Sequence, residues 1–262
     1  MRLARVRGAS TLSSVAMSGI VRIWPGGSFQ CPLCDFVGTF SPVFHSTGVR
    51  KFARCPKCGA MERHRLQRYA LSQVAALLDD RQPVRILHIA PEKSISGPLR
   101  ELGGRGGVYV TGDLSARDVD LHVDLREMSQ FSDGSWDLIW ASHVMEHIDD
   151  DAAAIAEIER VLSPSGVAVL PVPINADSTV EYGAPCEADF QHVRAPGLDY
   201  FDRYRRAFRS VSVVTSADAP SSIQPWVIED RTVFPTKALP DRPPQSGQRH
   251  IEAVPICSKS IG

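Results

Sequence analysis

Short apolar runs that alternate with helix-like segments constrain the fold of this 262-residue chain more than any other feature. The first run, over residues 84–92, reads Val-Arg-Ile-Leu-His-Ile-Ala-Pro-Glu and ends in a turn. Alternation of this kind predicts an α/β domain with a parallel sheet and helices on both faces. The other predicted strands are 108–111, 119–123, 136–140 and 167–174, and helices are predicted at 98–102 and 152–162.

Candidate ligand-binding residues follow three of these runs. Because the carboxyl ends of parallel strands meet at one edge of the sheet, where open α/β folds bind ligands, these residues are predicted to line one site. Asp113 and Leu114 follow the second run, Asp124 and Leu125 the third, and Ser142 and His143 the fourth.

Two Cys-x-x-Cys pairs precede the α/β segment, and twenty residues separate them. They are Cys31 with Cys34 and Cys55 with Cys58. Four thiolates at this spacing fill a tetrahedral zinc site and leave no position for a substrate, so they predict a structural zinc ribbon. Two disulfides or a redox pair are the alternatives, and the lack of a recognisable secretory signal favours zinc.

Charge is distributed unevenly along the chain. Residues 1–75 hold eleven Lys or Arg and two acidic residues, a balance of +9, whereas the remainder holds 18 basic and 28 acidic residues, a balance of −10. Arg63, His64 and Arg65 crowd the start of an amphipathic linker helix predicted within 61–82. Such a basic module can bind nucleic acid or an acidic substrate group, or it can dock on the acidic module through ion pairs.

Six short motifs resemble, in order and spacing, those of class I S-adenosylmethionine-dependent methyltransferases. Residues 55–65 followed by 88–92 resemble more narrowly a bacterial subgroup in which a zinc ribbon precedes that domain. The resemblance implies a Rossmann-like class I methyltransferase sheet with helices on both faces and a methyl-transfer activity. The motifs occupy residues 86–92, 112–115, 123–125, 135–139, 143–148 and 162–166.

The resemblance also implies a site for S-adenosylmethionine. In the family, an acid at the position of Asp113 accepts hydrogen bonds from the ribose hydroxyls, and the positions of Asp124 and Leu125 hold the adenine. The first turn departs from the family pattern, because positions usually held by glycine are alanine and glutamate here. The rest of the predicted cofactor set is His88, Ala90, Pro91, Glu92, Leu114, Ser142 and His143.

Candidate catalytic and substrate-binding residues lie beyond the fourth and fifth runs. Methyl transfer depends mainly on alignment, but a hydroxyl or ammonium acceptor needs a base, for which His143 and His192 are the candidates. Arg194 is predicted to bind a substrate carboxylate or phosphate, with an ion pair to Asp189 or Glu187 as the alternative. Tyr200 completes the predicted substrate set, whereas Glu146 and His147 are expected to be structural.

The sequence divides into five predicted segments. They are a disordered extension (1–19), the zinc ribbon (20–60), the linker helix (61–82), a methyltransferase domain (83–236) with a substrate lid around 177–200, and a flexible tail (237–262). Within the domain, strands at 210–215 and 229–235 are expected to finish the sheet. No apolar run is long enough to cross a membrane, and a cytoplasmic location is expected.

Three functions are compatible with this sequence. The first is methyl transfer to oxygen or nitrogen of a small molecule, such as a sugar or a specialised metabolite. The second is RNA methylation, with the basic ribbon as the binding module and its phenylalanines as stacking platforms. The third is a non-catalytic scaffold. The acidic catalytic half favours the small-molecule substrate. The phenylalanines are Phe36, Phe40, Phe44 and Phe52.

Overall fold

The computed structural model describes residues 27–45, 48–78, 83–231, 237 and 245–259, so the predicted extension over 1–19 lies outside the described residues. Its helices are α1 (Glu62–Leu78), α2 (Lys93–Gly103), α3 (Asp151–Val161) and α4 (Phe201–Ala207). The first strands are β1 (Phe29–Gln30), β2 (Val37–Gly38), β3 (Ser41–His45), β4 (Gly48–Arg54), β5 (Arg85–Ile89), β6 (Val108–Asp113), β7 (Leu121–His122) and β8 (Trp136–Ala141). The remaining strands are β9 (Leu162–Val169), β10 (Val180–Cys186), β11 (His192–Ala195), β12 (Ser210–Thr215), β13 (Val227–Arg231), β14 (Gln245–His250) and β15 (Ala253–Ser258).

A seven-stranded sheet in the order β12-β15-β9-β8-β5-β6-β7 forms the centre of the molecule. The strands β5 to β9 pair in parallel, β15 pairs antiparallel with β9, and β12 pairs antiparallel with β15. All six residues of β8 are buried, as expected for a central strand covered on both faces. The predicted class I methyltransferase fold is confirmed. No described helix is long and apolar enough to span a bilayer.

Helices cover both faces of this sheet, and the period-two alternation of β5 shows how. Ile86 packs in a cluster with residues of α1 and α2, whereas its neighbour Leu87 packs in a second cluster with residues of α3 and α4. Each fully buried aliphatic side chain contributes roughly 1.5–3 kcal/mol relative to its exposed state. Helix α3 begins where its sequence predicts, because Asp150 accepts a 3.0 Å hydrogen bond from the amide of Ala153.

The predicted flexible tail over 237–262 is wrong for residues 245–259. The strand β15 lies inside the main sheet between β12 and β9, and all six of its residues are buried. The prolines at 240, 243 and 244 indicated disorder, but the apolar segment that follows them packs Val254 and Ile256 into the core. The strand expected at 229–235 does not finish the main sheet either, because β13 pairs with β4 and β14 instead.

A second sheet, in the order β14-β13-β4-β3, joins the two ends of the chain. Its strands β3 and β4 come from the N-terminal module, and β13 and β14 come from the C-terminal part. Gly48 fits this pairing because a Cβ atom there would lie 1.8 Å from the carbonyl oxygen of Asp230. We call this the composite sheet. The N-terminal module is therefore completed by residues about 180 positions further along the chain.

Arg65 of helix α1 connects these parts. Its side chain is fully buried, lies 4.4 Å from the ring centre of Phe40, and donates hydrogen bonds to backbone carbonyls on both sides of the interface. Burial lowers the pKa of Arg65 to about 10, which leaves the guanidinium charged at neutral pH. Arg65, one of the basic residues of the N-terminal module, therefore holds this module against the rest of the chain. The acceptors are the carbonyls of Phe52, Ala53, Ala60, Ile223 and Gln224.

Candidate functional site

A cavity of about 540 Å³ opens at the carboxyl ends of the parallel strands, where the alternating pattern predicts a ligand site. We call it the first cavity. Residues from the ends of β5 and β6, from the segment after β7 and from the hairpin β10–β11 line its walls. Five members of the predicted cofactor set meet here, namely Ala90, Asp113, Leu114, Asp124 and Leu125.

Asp113 stands at the end of β6 with one carboxylate oxygen held by the backbone. Its Oδ1 atom accepts hydrogen bonds of 2.8 Å from the amides of Ser115 and Ala116. Its Oδ2 atom accepts none from the residues that the structure describes. A carboxylate has acceptor sites on both oxygens, so this arrangement fixes the side chain and leaves Oδ2 for hydroxyl donors.

Asp124 is bound by Arg126, which also lines the first cavity. Arg126 donates 3.0 Å and 2.8 Å hydrogen bonds to the two carboxylate oxygens, and these bonds lower the pKa of Asp124. Asp124 is therefore ionised at neutral pH. The neighbouring Leu125 is buried and supplies an apolar wall beside it. A paired carboxylate beside an apolar wall fits the amino edge and the face of a purine.

Ala90 adopts a backbone conformation that favours glycine. Its φ is +46°, in the left-handed region, and its amide donates a 2.8 Å hydrogen bond to the carbonyl of Gly112. The turn after β5 thus keeps the shape that a glycine would give it, although the sequence has alanine. A left-handed non-glycine residue costs about 1–2 kcal/mol, so the first turn is strained.

Four other residues of the predicted cofactor set do not line the first cavity. His88 is fully buried in β5, where its Nδ1 atom lies 2.7 Å from the hydroxyl of Tyr109 and burial lowers its pKa to about 4. Ser142 accepts a hydrogen bond from Gln67. Pro91 and His143 are also outside the lining.

Glu92, the last of this set, faces helix α1. Its Oε1 atom contacts Arg63 at 2.7 Å and His64 at 2.8 Å. Burial raises the pKa of Glu92, but the hydrogen bond from His64 and the charge of Arg63 outweigh it and hold the pKa well below its usual range. The basic turn of α1 therefore docks on the first turn of the α/β domain.

A second cavity of about 680 Å³ lies between the α/β domain and the composite sheet. Its walls come from helix α1 and from six other parts of the chain, and they carry charges of both signs. Arg50, Arg63, Glu229 and Glu252 are among the charged residues that line it. Burial raises the pKa of Glu252 to about 7. His147 lines both cavities, so they adjoin at this residue.

The two predicted bases, His143 and His192, meet in the second cavity beside Glu146. The Nδ1 atom of His143 lies 3.5 Å from Oε1 of Glu146, and Nε2 of His192 lies 4.0 Å from the same oxygen. Burial lowers the pKa of His143 to about 3, which keeps its imidazole neutral at neutral pH. Burial also raises the pKa of Glu146 to about 8.

Arg194 lines the first cavity, but its guanidinium is engaged by the protein. It donates hydrogen bonds to the carbonyls of Met145, Ile148 and Asp149 and forms an ion pair with Glu181 at 3.1 Å. An ion pair, the alternative to substrate binding, is observed, but the partner of Arg194 is Glu181 and not the expected Asp189 or Glu187. The guanidinium fastens the hairpin β10–β11 over the first cavity.

Tyr200 lies away from both cavities. It is buried, and its hydroxyl donates a 2.7 Å hydrogen bond to Asp151 at the start of helix α3. The bond and the burial indicate a packing role. His147, expected to be structural, is instead exposed where the two cavities adjoin. In the sequence, Glu146 and His147 follow closely after the fourth predicted strand, and this position is the feature that indicates a place in the ligand site.

The four cysteines predicted to bind zinc form one cluster. The Sγ atoms of Cys31 and Cys58 lie 3.6 Å apart, and those of Cys34 and Cys55 lie 3.7 Å apart. Thiolates at about 2.3 Å from a tetrahedral zinc ion stand roughly 3.8 Å from one another, so these separations fit such a site. The cluster packs against Phe40 and its neighbouring phenylalanines.

Comparison with known proteins agrees with this geometry. Residues 104–170 match a family model described as a methyltransferase domain, and no curated protein matches the chain. A solved structure from Bacillus halodurans C-125 shares 16% identity, covering 74% of this chain and 98% of its own, with a TM-score of 0.47.

Two further solved structures are titled as S-adenosylmethionine-dependent methyltransferases. The one from Archaeoglobus fulgidus shares 16% identity over 72% of this chain and 94% of its own, with a TM-score of 0.45. The one from Mesorhizobium loti shares 14% identity, covering 72% of this chain and 97% of its own, with a TM-score of 0.42. Similarities this distant indicate no substrate. Residues 104–170 of this chain thus match a methyltransferase domain model within the class I fold, and a four-cysteine cluster precedes them.

Proposed function

We propose that this chain is an S-adenosylmethionine-dependent methyltransferase that methylates an oxygen or nitrogen atom of a small molecule. The observation that carries the proposal is the adjacency of two cavities that share His147. The first has the acids that the family uses for the cofactor, and the second has polar side chains for an acceptor. A methyl group can pass between two ligands only where their sites adjoin, because the reacting atoms must come within about 3–3.5 Å.

The first cavity suits the cofactor. Asp113 would accept hydrogen bonds from the ribose hydroxyls through Oδ2, and Leu125 with Asp124 would contact the adenine. The methionine half would then extend past Ala90 toward His147 and the second cavity. The hydrogen bonds of Arg194 to the carbonyls of Met145, Ile148 and Asp149 would hold the hairpin β10–β11 over the bound cofactor and exclude water.

The second cavity suits a small polar acceptor. Its arginines and carboxylates offer hydrogen-bond donors and acceptors, and its volume of about 680 Å³ is within the range of small-molecule sites. The predicted substrate residue His192 lies in this cavity. An acceptor with several hydroxyl groups, such as a sugar or a related metabolite, could form hydrogen bonds to both kinds of side chain.

The chemistry needs few protein groups. S-adenosylmethionine bound in the first cavity would supply a methyl group on a sulfonium, and attack by the acceptor oxygen or nitrogen would break the carbon–sulfur bond and release S-adenosylhomocysteine as a neutral thioether. The proton of the acceptor then passes to a base. His143 is placed for this role because it lines the second cavity and its Nε2 atom has no hydrogen-bond partner among the described residues, although its low pKa makes it a weak base. His192 is the second candidate.

RNA methylation remains the second candidate function, and the structure weakens its support. Three of the four phenylalanines proposed as stacking platforms, Phe36, Phe40 and Phe52, pack in or against the core of the ribbon. Phe44 is exposed. Several basic residues of the module, including Arg50 and Arg65, are turned inward and do not form an exposed stripe.

The four-cysteine cluster is proposed to bind a structural zinc ion. Its separations fit, and the ion would fix the ribbon loops that lie next to Arg65. Zinc would not take part in methyl transfer, because four thiolates leave it no position for substrate.

Calorimetric titration with S-adenosylhomocysteine tests the proposed activity first. We expect one binding event per chain, and transfer of a labelled methyl group from S-adenosylmethionine to a component of a small-metabolite extract. The absence of binding at millimolar ligand would contradict the enzyme and favour a scaffold. Methyl incorporation into RNA, with an affinity for RNA that falls steeply with salt, would contradict the small-molecule assignment.

A further inference from the structure

Three side chains of a metal-binding type meet where the two cavities adjoin. One ligand atom from each of Glu146, His147 and His192 lies within 4.8 Å of the other two. Ligands of one divalent ion stand about 3–3.5 Å apart when each lies near 2.1 Å from the metal. Oε1 of Glu146 and Nε2 of His192 stand 4.0 Å apart, so a bound ion would draw these two side chains together as well as the exposed His147.

Glu146 needs a partner that the described protein groups do not supply. Its side chain is only 1% exposed, and neither of its carboxylate oxygens accepts a hydrogen bond from the described residues. Taking a carboxylate out of water without a hydrogen bond or a counter-charge is costly. A cation held between Glu146 and the two imidazoles would remove this cost.

His192 is oriented as metal-binding histidines commonly are. Its Nδ1 atom lies 3.4 Å from Oδ2 of Asp189, which in turn accepts a 3.0 Å hydrogen bond from the hydroxyl of Tyr182. Its other ring nitrogen, Nε2, faces Glu146. At 3.4 Å this contact is an ion-pair distance and not a hydrogen bond; a carboxylate that closed to hydrogen-bond distance would fix the tautomer and present the opposite nitrogen to a metal ion.

We propose that Glu146, His147 and His192 bind a divalent transition-metal ion at the junction of the two cavities. Two imidazoles and one carboxylate suit borderline ions such as Fe²⁺, Co²⁺ and Zn²⁺ rather than Mg²⁺ or Ca²⁺, which prefer oxygen ligands. Three protein ligands leave coordination positions open toward the second cavity.

The proposed metal ion also indicates the chemical class of the methyl acceptor, an inference that rests on the proposed methyl transfer. The open positions would take hydroxyl oxygens of the acceptor, and a metal ion lowers the pKa of an oxygen that it binds. An acceptor with two neighbouring hydroxyl groups could occupy two of these positions. His143, which is not one of the three ligands, then remains as the base.

Titration of the full-length protein with Co²⁺ tests the metal site. The protein is first loaded with one Zn²⁺ per chain, which fills the four-cysteine cluster. We expect one further Co²⁺ per chain by calorimetry, with a visible spectrum that lacks the intense thiolate-to-cobalt bands. Glu146→Gln and His192→Asn should each weaken this binding about tenfold or more.

His122→Asn is the matched control, because His122 is exposed on β7 and lines neither cavity. It should keep the wild-type affinity. No Co²⁺ binding by the zinc-loaded wild type, or wild-type affinity in both folded ligand variants, would overturn the proposed site. Titration with S-adenosylhomocysteine separates the two proposals, since Co²⁺ binding without cofactor binding contradicts the methyltransferase and leaves the metal site standing.

Discussion

The two cavities differ in how the chain builds them. The first is formed by the ends of neighbouring parallel strands, so its acids follow directly after strands in the sequence. The second is assembled from Arg50, from helix α1, from the region of His143, from His192 and from Glu252. The first cavity therefore depends on local sequence, whereas the second cavity depends on the composite sheet and on the ribbon that supports it.

The largest expected effect comes from the zinc ribbon, because the ribbon supports the composite sheet and therefore the second cavity but not the first. Cys55→Ser should remove a ligand of the proposed ion and lower the free energy of unfolding by about 4 kcal/mol or more. The loss arises because the ribbon loops lose their cross-link beside Arg65 and the composite sheet. Urea unfolding and zinc content measure it.

Cys186→Ser is the matched control for this substitution, because Cys186 lies outside the four-cysteine cluster. It should retain zinc and change the unfolding free energy by less than about 1 kcal/mol. Equal stability and equal zinc content in the two variants would contradict the structural role of the cluster.

A second comparison separates ligand binding in the two cavities. Asp113→Ala should weaken binding of S-adenosylhomocysteine at least tenfold, about 1.4 kcal/mol, because the ribose loses its acceptor. Glu252→Gln should leave this affinity within twofold, since Glu252 lines only the second cavity and an amide resembles its protonated form. Calorimetry measures both affinities.

The exposed Asp118, in the loop between β6 and β7, supplies the control for Asp113. Asp118→Ala should bind S-adenosylhomocysteine like the wild type. If Asp113→Ala kept its affinity within threefold, the ribose assignment would be wrong, and the first cavity would lose its main support as the cofactor site.

The smallest expected effect concerns the strained turn of the first cavity. Ala90→Gly should raise the unfolding free energy by about 0.5 kcal/mol, because relief of the left-handed strain exceeds the added entropy of glycine in the unfolded chain. Ala90→Val should lower stability, since a β-branched side chain tolerates this conformation least. Thermal unfolding that ranks valine above glycine would contradict the strain.

Much of the first cavity could be predicted from sequence for a physical reason. A buried strand is an apolar run, the residue after it lies at the carboxyl edge, and Asp113 and Asp124 stand there. The same reasoning misplaced His88, because alternate residues of a central strand point into the core and not toward the edge.

The composite sheet and the second cavity could not be predicted in this way. Pairing between β4 and β13 joins residues about 180 positions apart, and nothing local to either strand specifies its partner. The buried strand β15 was mistaken for a tail because it follows a proline-rich segment. Glu146 and His147 were visible as a motif, but their role depends on His192, which only the fold brings beside them.

A crystal structure with S-adenosylhomocysteine bound tests the central claim most directly. We expect the ligand in the first cavity, with its ribose hydroxyls on Oδ2 of Asp113 and its sulfur directed past Ala90 toward His147 and the second cavity. S-adenosylhomocysteine in the second cavity, or in the first cavity with its sulfur directed away from His147, would contradict the division between cofactor and acceptor sites.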